Sequence, residues 1–456
     1  MNILPCIFVL LCPLIVFAQQ HLPDASPLEQ KWQYVGNSGA SQPGAESISL
    51  AFSPSGEPYV ASIDFRSLKA NVVKFDGTNW VNVGSPDFSS PATFFANLAI
   101  SLTGVPFVVY CDMNDSAKAS VMKFDGNKWD YVGMAGFSAD TVGWVSIAVG
   151  PSGQPYVAYA DGAHSNKATV MKFDGFNWVN IGMPGFSNEM TGSVCLAFSP
   201  SGQPCVAYAG YLSWKMTVMK FNGINWVVVG SPDFSSGICS WENLAFSPGG
   251  EPYVSYDDNQ NSYRTSVMKF DGTNWMNVGK QGFTAGRADF VSLAVSPSGQ
   301  PYVAYEDFEN YGKATVMKYD GANWMYVGLA GFSGASARYT SLAFSPSGKP
   351  YVAYADYGND EKATVMKFDY PERIDELRKS WLSIYPDPAE DFLTIETSMK
   401  IKDSRLAIVN IQGKTVLSFY LTGAKTRLDI STLPAGVYIM QLTNELTASR
   451  VKIIKL

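Results

Sequence analysis

The amino-acid sequence predicts an all-β protein: a seven-bladed β-propeller closed by an N-terminal outer strand, followed by a small C-terminal β-sandwich. Three observations lead to this fold. A unit of 48 or 49 residues recurs along most of the chain, and each unit contains four strand-like segments. The outer strand that is missing from the last unit stands before the first one.

Tryptophan marks the recurrence most clearly. Seven tryptophans follow one another at intervals of 48 or 49 residues: Trp32, Trp80, Trp129, Trp178, Trp226, Trp275 and Trp324. Because they occupy equivalent places, we interpret them as residues that pack between neighbouring blades.

The four segments of a unit are clearest in residues 291–328. They are LAVS, PYVAY, KATVMKY and WMYVG, separated by the turn SPSGQP, a variable connection and the turn DGANW. Val, Tyr and Thr favour strands, whereas Pro, Ser, Gly, Asp and Asn favour turns. A four-stranded unit of this length has the size of a propeller blade.

The two ends of the repeat region predict how the ring closes. Third strands end at seven positions: Phe75, Phe124, Phe173, Phe221, Phe270, Tyr319 and Phe368. Arg373 stands where the next tryptophan would fall, whereas KWQYVG (residues 31–36) is a fourth strand with no blade of its own. We therefore predict that residues 31–36 complete the seventh blade, so that residues 31–369 form one closed propeller without an open edge.

Composition indicates a globular protein and limits the class of partner. Hydrophobic residues make up 46% of the 456 residues, and the net charge is −7 without a local basic cluster. This charge predicts no nucleic-acid partner. No zinc or other metal site and no cofactor are predicted, and four cysteines beyond residue 18 leave three disulfide pairings open.

The N-terminal segment resembles a secretory signal. Residues 1–18 are mostly apolar, are too short to span a bilayer comfortably and end in Val16-Phe17-Ala18. We expect cleavage before Gln19, a short tail over residues 19–30, and no membrane span in the mature chain.

The composition changes after Asp369. Residues 370–380 read as a charged linker, and the runs of residues 381–456 alternate apolar with polar side chains, which predicts an antiparallel sandwich.

This last segment is similar to the C-terminal sorting domain of the type IX (Por) secretion system. The similarity lies in Ile384–Ala389, in Leu406–Val416 with its Gln412-Gly413-Lys414 turn, in Leu433–Tyr438 and in Lys452–Ile454. Asp387 departs from the Asn that is usual there. The sorting signal would be carried by Tyr385, Pro386, Pro388, Gly413, Lys414, Gly436, Val437 and Tyr438.

The resemblance implies that the type IX machinery exports this chain in a Bacteroidetes-type bacterium. The product would be released or attached to the outer-membrane surface, commonly after removal of the sorting domain.

A binding site is expected on one face of the propeller. The turns SPSGQP and DGTNW repeat almost unchanged on one face, whereas the connections on the opposite face vary, as recognition loops do. Each second strand but that of blade four ends in an acid on this variable face, with a cation about five residues later. Because the pattern recurs, we interpret it as closing each loop by a salt bridge or a side-chain turn.

Two sets of aromatic residues are candidate ligand contacts. One set stands three residues before the Leu (or Ile) of the first strand and contains Phe95, Trp144, Trp241, Phe290 and Tyr339. In the first and fourth blades the same position is Ser47 and Ser193. These rings would either bind a sugar or peptide at the channel mouth or pack between blades. The other set lies in the second-to-third loops and includes Tyr211, Trp214, Tyr263, Phe308 and Tyr311.

Catalysis has little support in the sequence. The chain has two histidines, His21 and His164, and no recognisable nucleophile or dinucleotide motif. No catalytic residue is assigned. We expect a binding module for a glycan or a protein; a polysaccharide-degrading enzyme with paired carboxylates and a structural envelope or matrix protein remain alternatives.

Overall fold

The computed structural model describes residues 31–237, 239–369, 382–386, 388–397, 405–410, 415–420, 423, 425–443 and 448–456. The predicted signal peptide, tail and linker lie outside these ranges. The chain divides into two compact units, one containing residues 31–369 and the other the described residues from 382 onward.

Residues 31–369, with residue 238 left out, form seven antiparallel sheets of four strands, numbered here as blades one to seven. The strands of each blade are given from first to fourth. Blade one contains Ala45–Phe52, Pro58–Asp64, Lys69–Phe75 and Trp80–Asn82; blade two contains Thr93–Ile100, Pro106–Asp112, Lys118–Phe124 and Trp129–Tyr131; blade three contains Val142–Val149, Pro155–Asp161, Lys167–Phe173 and Trp178–Asn180; and blade four contains Thr191–Phe198, Pro204–Gly210, Met216–Phe221 and Trp226–Val228. Blade five contains Cys239–Phe246, Pro252–Asp258, Arg264–Phe270 and Trp275–Asn277; blade six contains Ala288–Val295, Pro301–Asp307, Lys313–Tyr319 and Trp324–Tyr326; and blade seven contains Ala337–Phe344, Pro350–Asp356, Lys362–Asp369 and Lys31–Tyr34.

Short 3₁₀ helices follow the second strand in four blades: Met113–Asp115, Gly162–His164, Asn259–Asn261 and Phe308–Asn310.

The predicted ring closure is confirmed. Lys31–Tyr34 pairs with the third strand of blade seven, and Trp32 lies directly opposite Phe368. The first strands of blades seven and one also meet, because the Leu50 amide donates to Ser341 Oγ at 3.0 Å. The beginning of the propeller thus completes its last sheet and leaves no unpaired edge at the seam.

The seven repeated tryptophans join neighbouring blades. Each indole N–H donates to a backbone carbonyl of the preceding blade at 2.6–2.8 Å, as Trp129 does to Val83 and Trp32 does to Val327. Six of the indoles also stack on a phenylalanine, with ring centroids 4.0–4.4 Å apart. A buried ring with a satisfied N–H contributes both apolar burial and a directional bond at every interface between blades.

The repeated turns hold their shape by side-chain hydrogen bonds. In blade one, Ser53 Oγ accepts from the Glu57 amide at 3.0 Å. Asp76 Oδ1 accepts from the amides of Thr78 and Asn79 at 2.8 Å. These bonds hold the pKa of the Asp76 carboxyl below its ordinary value. The bonding follows from the Ser and Asp that begin most of these turns, and Asn222 accepts in the same way in blade four.

The second unit consists of two antiparallel sheets, as predicted. Leu382–Tyr385, Phe392–Thr397 and Lys425–Asp429 form one sheet. The other has the order Thr415–Tyr420, Arg405–Asn410, Gly436–Thr443 and Ala448–Lys455. Leu393, Ile395, Leu406, Ile408 and Ile430 are fully buried and form its core.

Candidate functional site

The two mouths of the propeller channel differ in their lining. At one mouth the repeated SPSG turns surround a cavity of about 610 Å³ whose walls include Phe52, Phe198 and several prolines. At the other mouth the beginnings of the first strands surround a cavity of about 490 Å³. The second cavity lies on the variable face, and we call it the central pocket.

A β-bulge shapes the rim of the central pocket. In blades one, two, three, five, six and seven, two residues of the first strand lie opposite one residue of the second. In blade two, for example, the pairing passes from Phe94 opposite Cys111 to Asn97 opposite Val109. A bulge redirects the side chain at the extra position, which here is the position of the first predicted aromatic set.

The bulge residues have left-handed backbone conformations. Five of them have φ between +48° and +56°: Ser47, Phe95, Trp144, Phe290 and Tyr339. Large side chains rarely adopt this region, and each such residue costs about 1–3 kcal/mol. Retention of this strain at one ring of positions indicates that the direction of these side chains matters.

The structure brings four of the five predicted first-strand aromatics into the central pocket. Phe95 and Trp144 have ring centroids 4.8 Å apart, and Phe290 and Tyr339 have centroids 4.6 Å apart. The first pair belongs to blades two and three and the second to blades six and seven, so the pairs come from opposite sides of the ring. Trp144 is 39% exposed and therefore keeps a ring surface open to a ligand.

The remaining blades differ at this position. Trp241 occupies the bulge of blade five, but its side chain lies outside the described ones. Blade four places the irregularity one residue earlier, at Gly192, so that Ser193 pairs normally with Ala209. The Trp214 ring packs beside Gly192, where a Cβ would lie 3.7 Å from the ring, an ordinary contact distance.

The five predicted loop aromatics are not among the residues that line the central pocket in the described part of the chain. Tyr211 and Trp214 pack on each other with centroids 4.9 Å apart. The Arg287 guanidinium lies over both Phe308, at 4.9 Å, and Tyr263, at 5.4 Å, which links the loops of blades five and six. Tyr311 is 90% exposed. These residues form a surface separate from the pocket.

The acids at the ends of the second strands close their own loops through side-chain turns. In six blades the carboxylate accepts from the amide two residues later at 2.8–3.1 Å, from Asp64, Asp112, Asp161, Asp258, Asp307 and Asp356. In blade four, where Gly210 replaces the acid, Glu189 accepts from the Leu212 amide at 2.8 Å instead. Of the two loop-closing interactions expected, the side-chain turn is the one that these residues form.

Two buried acids distinguish blades five and six, and sequence reasoning missed them. Asp257 and Glu306 are 2% and 4% exposed, and both stand where the other blades carry Ala, Ile or Cys. Glu306 lies opposite Asp289 in the strand pairing and accepts from Ser336 Oγ at 3.1 Å. Burial raises the pKa of the Glu306 carboxyl above its ordinary value. Alignment of the repeats by column would have found both acids, since each breaks a column of small apolar residues.

Sequence reasoning also missed Glu46 and Phe94, which line the central pocket directly before the bulge residues Ser47 and Phe95. The position that Glu46 and Phe94 share has no common residue type among the seven repeats, so the sequence does not single it out. In blades one and two the bulge brings both the bulge residue and the residue before it to the pocket wall.

Metal-binding clusters and membrane-spanning helices are both absent from the described residues. No group of three or more His, Cys, Asp or Glu side chains there is arranged to hold a metal ion. His164 Nδ1 lies 2.8 Å from Asp161 Oδ2 within the loop of blade three. No disulfide joins Cys111, Cys195, Cys205 and Cys239 to one another. Across the same ranges, no helix has the length and apolar character required to cross a bilayer.

The C-terminal unit matches a known family. Residues 383–456 match the family model described as a secretion system C-terminal sorting domain, which confirms the resemblance. The Tyr385 hydroxyl donates to Glu396 and the Tyr438 hydroxyl to the Pro434 carbonyl, both at 2.8 Å, whereas Gly413 and Lys414 lie outside the described residues. The protein is exported by the type IX system and is secreted or attached to the outer-membrane surface.

No curated protein matches the chain. Among solved structures, the chain is similar to PorZ, a surface component of the type IX secretion system of Porphyromonas gingivalis, with 14% identity and a TM-score of 0.48. The alignment covers 90% of this chain but only 59% of PorZ.

An ulvan lyase is similar at 11% identity, a TM-score of 0.49 and coverage of 73% and 94% of the two chains. The fucose-specific lectin of Aleuria aurantia is similar at 16% identity and a TM-score of 0.43, with coverage of 63% of this chain and 96% of the lectin. Likeness at this level does not indicate function.

Proposed function

We propose that this exported propeller is a binding module that recognises a glycan or a protein on its variable face, with the central pocket as the principal contact. The observation that carries the proposal is the convergence of Phe95, Trp144, Phe290 and Tyr339 on one cavity from strained bulge positions. A volume of about 490 Å³ is within the range of pockets that bind small ligands or single side chains.

The repeated architecture supports binding rather than packing as the role of Phe95 and Trp144, whereas Tyr339 also packs against the core between blades seven and one. The interfaces between blades are already filled by the seven repeated tryptophans, the paired phenylalanines and the buried second-strand tyrosines. Aromatic surface at a channel mouth that is more than one-third exposed, as in Phe95 and Trp144, is available to stack on a flat partner.

The loop surface around Arg287 extends the same face. Tyr263 and Phe308 are both more than 40% exposed although the guanidinium lies against them. We assign this surface to secondary contacts with a ligand larger than the pocket.

Binding of the full chain to glycan arrays and to panels of surface proteins tests the proposal. We expect Trp144→Ala and Phe95→Ala to weaken binding at least about tenfold, because truncation of an aromatic residue at the centre of a binding site commonly costs about 2 kcal/mol or more. Phe176→Ala is the matched control, since Phe176 is 86% exposed in the DGFNW turn of the opposite face. Unchanged binding by both pocket variants would refute the role of the pocket. Absence of any ligand would favour a structural protein.

A polysaccharide-degrading enzyme is a second candidate, favoured by one observation. A general acid needs a pKa near the working pH, and burial shifts the pKa of the Glu306 carboxyl in that direction while Asp289 lies opposite it. Breakdown of a polysaccharide by the full chain, lost in Glu306→Gln with folding intact, would establish this activity.

A further inference from the structure

The central pocket is not equally polar around its rim. The residue before each bulge position is charged in three consecutive blades and uncharged in the others. Glu46, Asp289 and Arg338 occupy it in blades one, six and seven, whereas Phe94, Gly143, Gly192 and Ser240 occupy it in blades two to five. Glu46 and Phe94 line the central pocket, and Asp289 and Arg338 are not among its lining residues. Because the ring is closed, the three charged blades are neighbours and form one arc. This asymmetry bears on which ligand the proposed site takes, and any selectivity drawn from it rests on the proposed binding function.

The uncharged arc presents aromatic surface. Phe94, Phe95 and Trp144 are each close to 40% exposed and all line the pocket. Gly143 precedes Trp144 and itself adds no side chain beside the indole. This arc can cover the flat, C–H-rich face of a ring, but it offers few polar groups.

The charged arc is held in place by its own contacts. Arg287 Nε and Nη2 donate to the two carboxylate oxygens of Asp289 at 2.8 and 2.6 Å. Arg338 Nε lies 3.8 Å from Glu306 Oε1, and its Nη1 donates to the Tyr357 hydroxyl at 3.2 Å. Because these guanidinium and carboxylate groups hold one another in place, they offer hydrogen-bond donors and acceptors to a ligand, and their side chains need not reorganise when it binds.

The acid that the pocket itself presents is Glu46. Asp289 lies against Arg287 and Glu306 lies near Arg338, so that each of these carboxyl groups faces a guanidinium. Glu46 lines the pocket and is exposed. Burial, which is the larger cause, and the Glu46 carboxylate together raise the pKa of Tyr339 to about 12. The Tyr339 hydroxyl therefore remains a hydrogen-bond donor at neutral pH. A ligand with a carboxylate or sulfate would be repelled by the Glu46 carboxylate.

We propose that the central pocket selects an uncharged sugar ring and discriminates against uronic acids and sulfated sugars. One face of the ring stacks on Phe95 and Trp144, and its hydroxyls meet Glu46 at the pocket wall. A longer chain of sugars would reach Asp289 and Arg338, which stand in the same column of the two neighbouring blades. A hydroxyl both donates and accepts, so neighbouring hydroxyls satisfy a carboxylate and a guanidinium at once, whereas an anionic substituent satisfies only the guanidinium.

The test uses the full chain and matched β-1,4-linked oligosaccharide pairs that differ only in oxidation at C6: cello- with glucuronan oligosaccharides, and manno- with mannuronan oligosaccharides. We expect binding to the neutral member of at least one pair to exceed binding to its acidic partner by about tenfold or more. Trp144→Ala should abolish binding to both members.

The charge argument has its own variant. Glu46→Gln should narrow the preference for the neutral sugar by about threefold at low salt, and this effect should fade near about 0.5 M NaCl, where exposed charges are screened. Glu251→Gln is the control, because it removes the same charge beside a repeated turn of the opposite face, where Glu251 lies near Lys269.

The outcomes separate this inference from the function on which it rests. Equal or stronger binding of an acidic member, or an unchanged preference in Glu46→Gln, would overturn the selectivity and leave the binding module standing. Binding of proteins but of no sugar would also overturn it. If the native chain bound neither a sugar nor a protein, the proposed binding function itself would be wrong.

Discussion

At the scale of single residues, a few polar side chains determine the shape of the variable face. Asp307 is fully buried and accepts from the Glu309 amide at 3.1 Å, from Asn310 Nδ2 at 2.9 Å and from Thr315 Oγ1 at 2.7 Å. One carboxylate thus caps the 3₁₀ helix Phe308–Asn310 and ties it to the third strand. The position of Phe308 on the loop surface depends on this cap.

We expect Asp307→Ala to destabilise the protein by about 1–3 kcal/mol, because several donors lose a buried acceptor at once. Denaturant unfolding measures the loss. Glu309→Ala, an exposed change in the same loop, is the control and should alter the unfolding free energy by less than about 0.5 kcal/mol. Equal stability of both variants would contradict the role of the cap.

Glu306 predicts a dependence of stability on pH. Burial raises the pKa of its carboxyl in the folded state, so the folded protein keeps a proton that the unfolded chain has already released. The free energy of unfolding therefore decreases as the pH rises from the ordinary carboxyl range through the raised folded pKa.

Glu306→Gln removes this titration and should be more stable than the native protein at neutral pH. The difference should shrink towards zero as the pH falls to about 4, where the carboxyl is protonated in both states. Thermal unfolding at several pH values measures it. Lower stability of Glu306→Gln at neutral pH would mean that the contact with Arg338 outweighs burial.

At the scale of elements, the blade interface is a repeated unit with one incomplete copy. Six tryptophans stack on a phenylalanine, but at Trp80 the corresponding residue is Ala40. The equivalence is structural, since the Ala40 amide donates to Ala363 as the Phe137 amide does to Ala119. The seam between blades seven and one therefore lacks a ring that the other interfaces have.

We expect Ala40→Phe to raise the free energy of unfolding by about 0.5–1.5 kcal/mol, because the new ring can stack on Trp80 as its counterparts do. Chemical denaturation measures the gain. Ala40→Leu controls for added apolar area without an aromatic face and should give a smaller gain. A decrease in stability with Phe would show that the seam cannot accommodate the ring.

At the scale of the whole molecule, closure holds the ring together. Trp32 is 6% exposed, stacks on Phe332 at 4.4 Å and donates to the Val327 carbonyl at 2.8 Å. Its strand covers the third strand of blade seven, which would otherwise expose unpaired backbone groups at an edge.

Trp32→Ala should lower the unfolding free energy by about 3–5 kcal/mol, as is usual for loss of a large buried ring. It should also make the chain more sensitive to proteolysis between blades seven and one. Gln33→Ala, at an exposed position of the same strand, is the control. A change in stability no larger than that of the control would contradict closure by the N-terminal strand.

The sequence by itself determined the class of fold, the number of blades, the closing strand and the sorting domain. These features depend on local chemistry repeated at a fixed interval: turn residues, strand-forming residues, and one tryptophan for each blade. Such patterns act within a blade or between neighbours, so they can be recognised without knowing the path of the chain.

The tertiary structure decided what the variable face contains. Phe95, Trp144, Phe290 and Tyr339 are 49 or more residues from one another, and they share a pocket only because the ring closes and a left-handed bulge aims each one inward. The charged arc of Glu46, Asp289 and Arg338 likewise exists only once the first blade stands beside the seventh. A periodic sequence specifies each blade, but the pocket is a property of the closed ring, where small differences between the repeats meet.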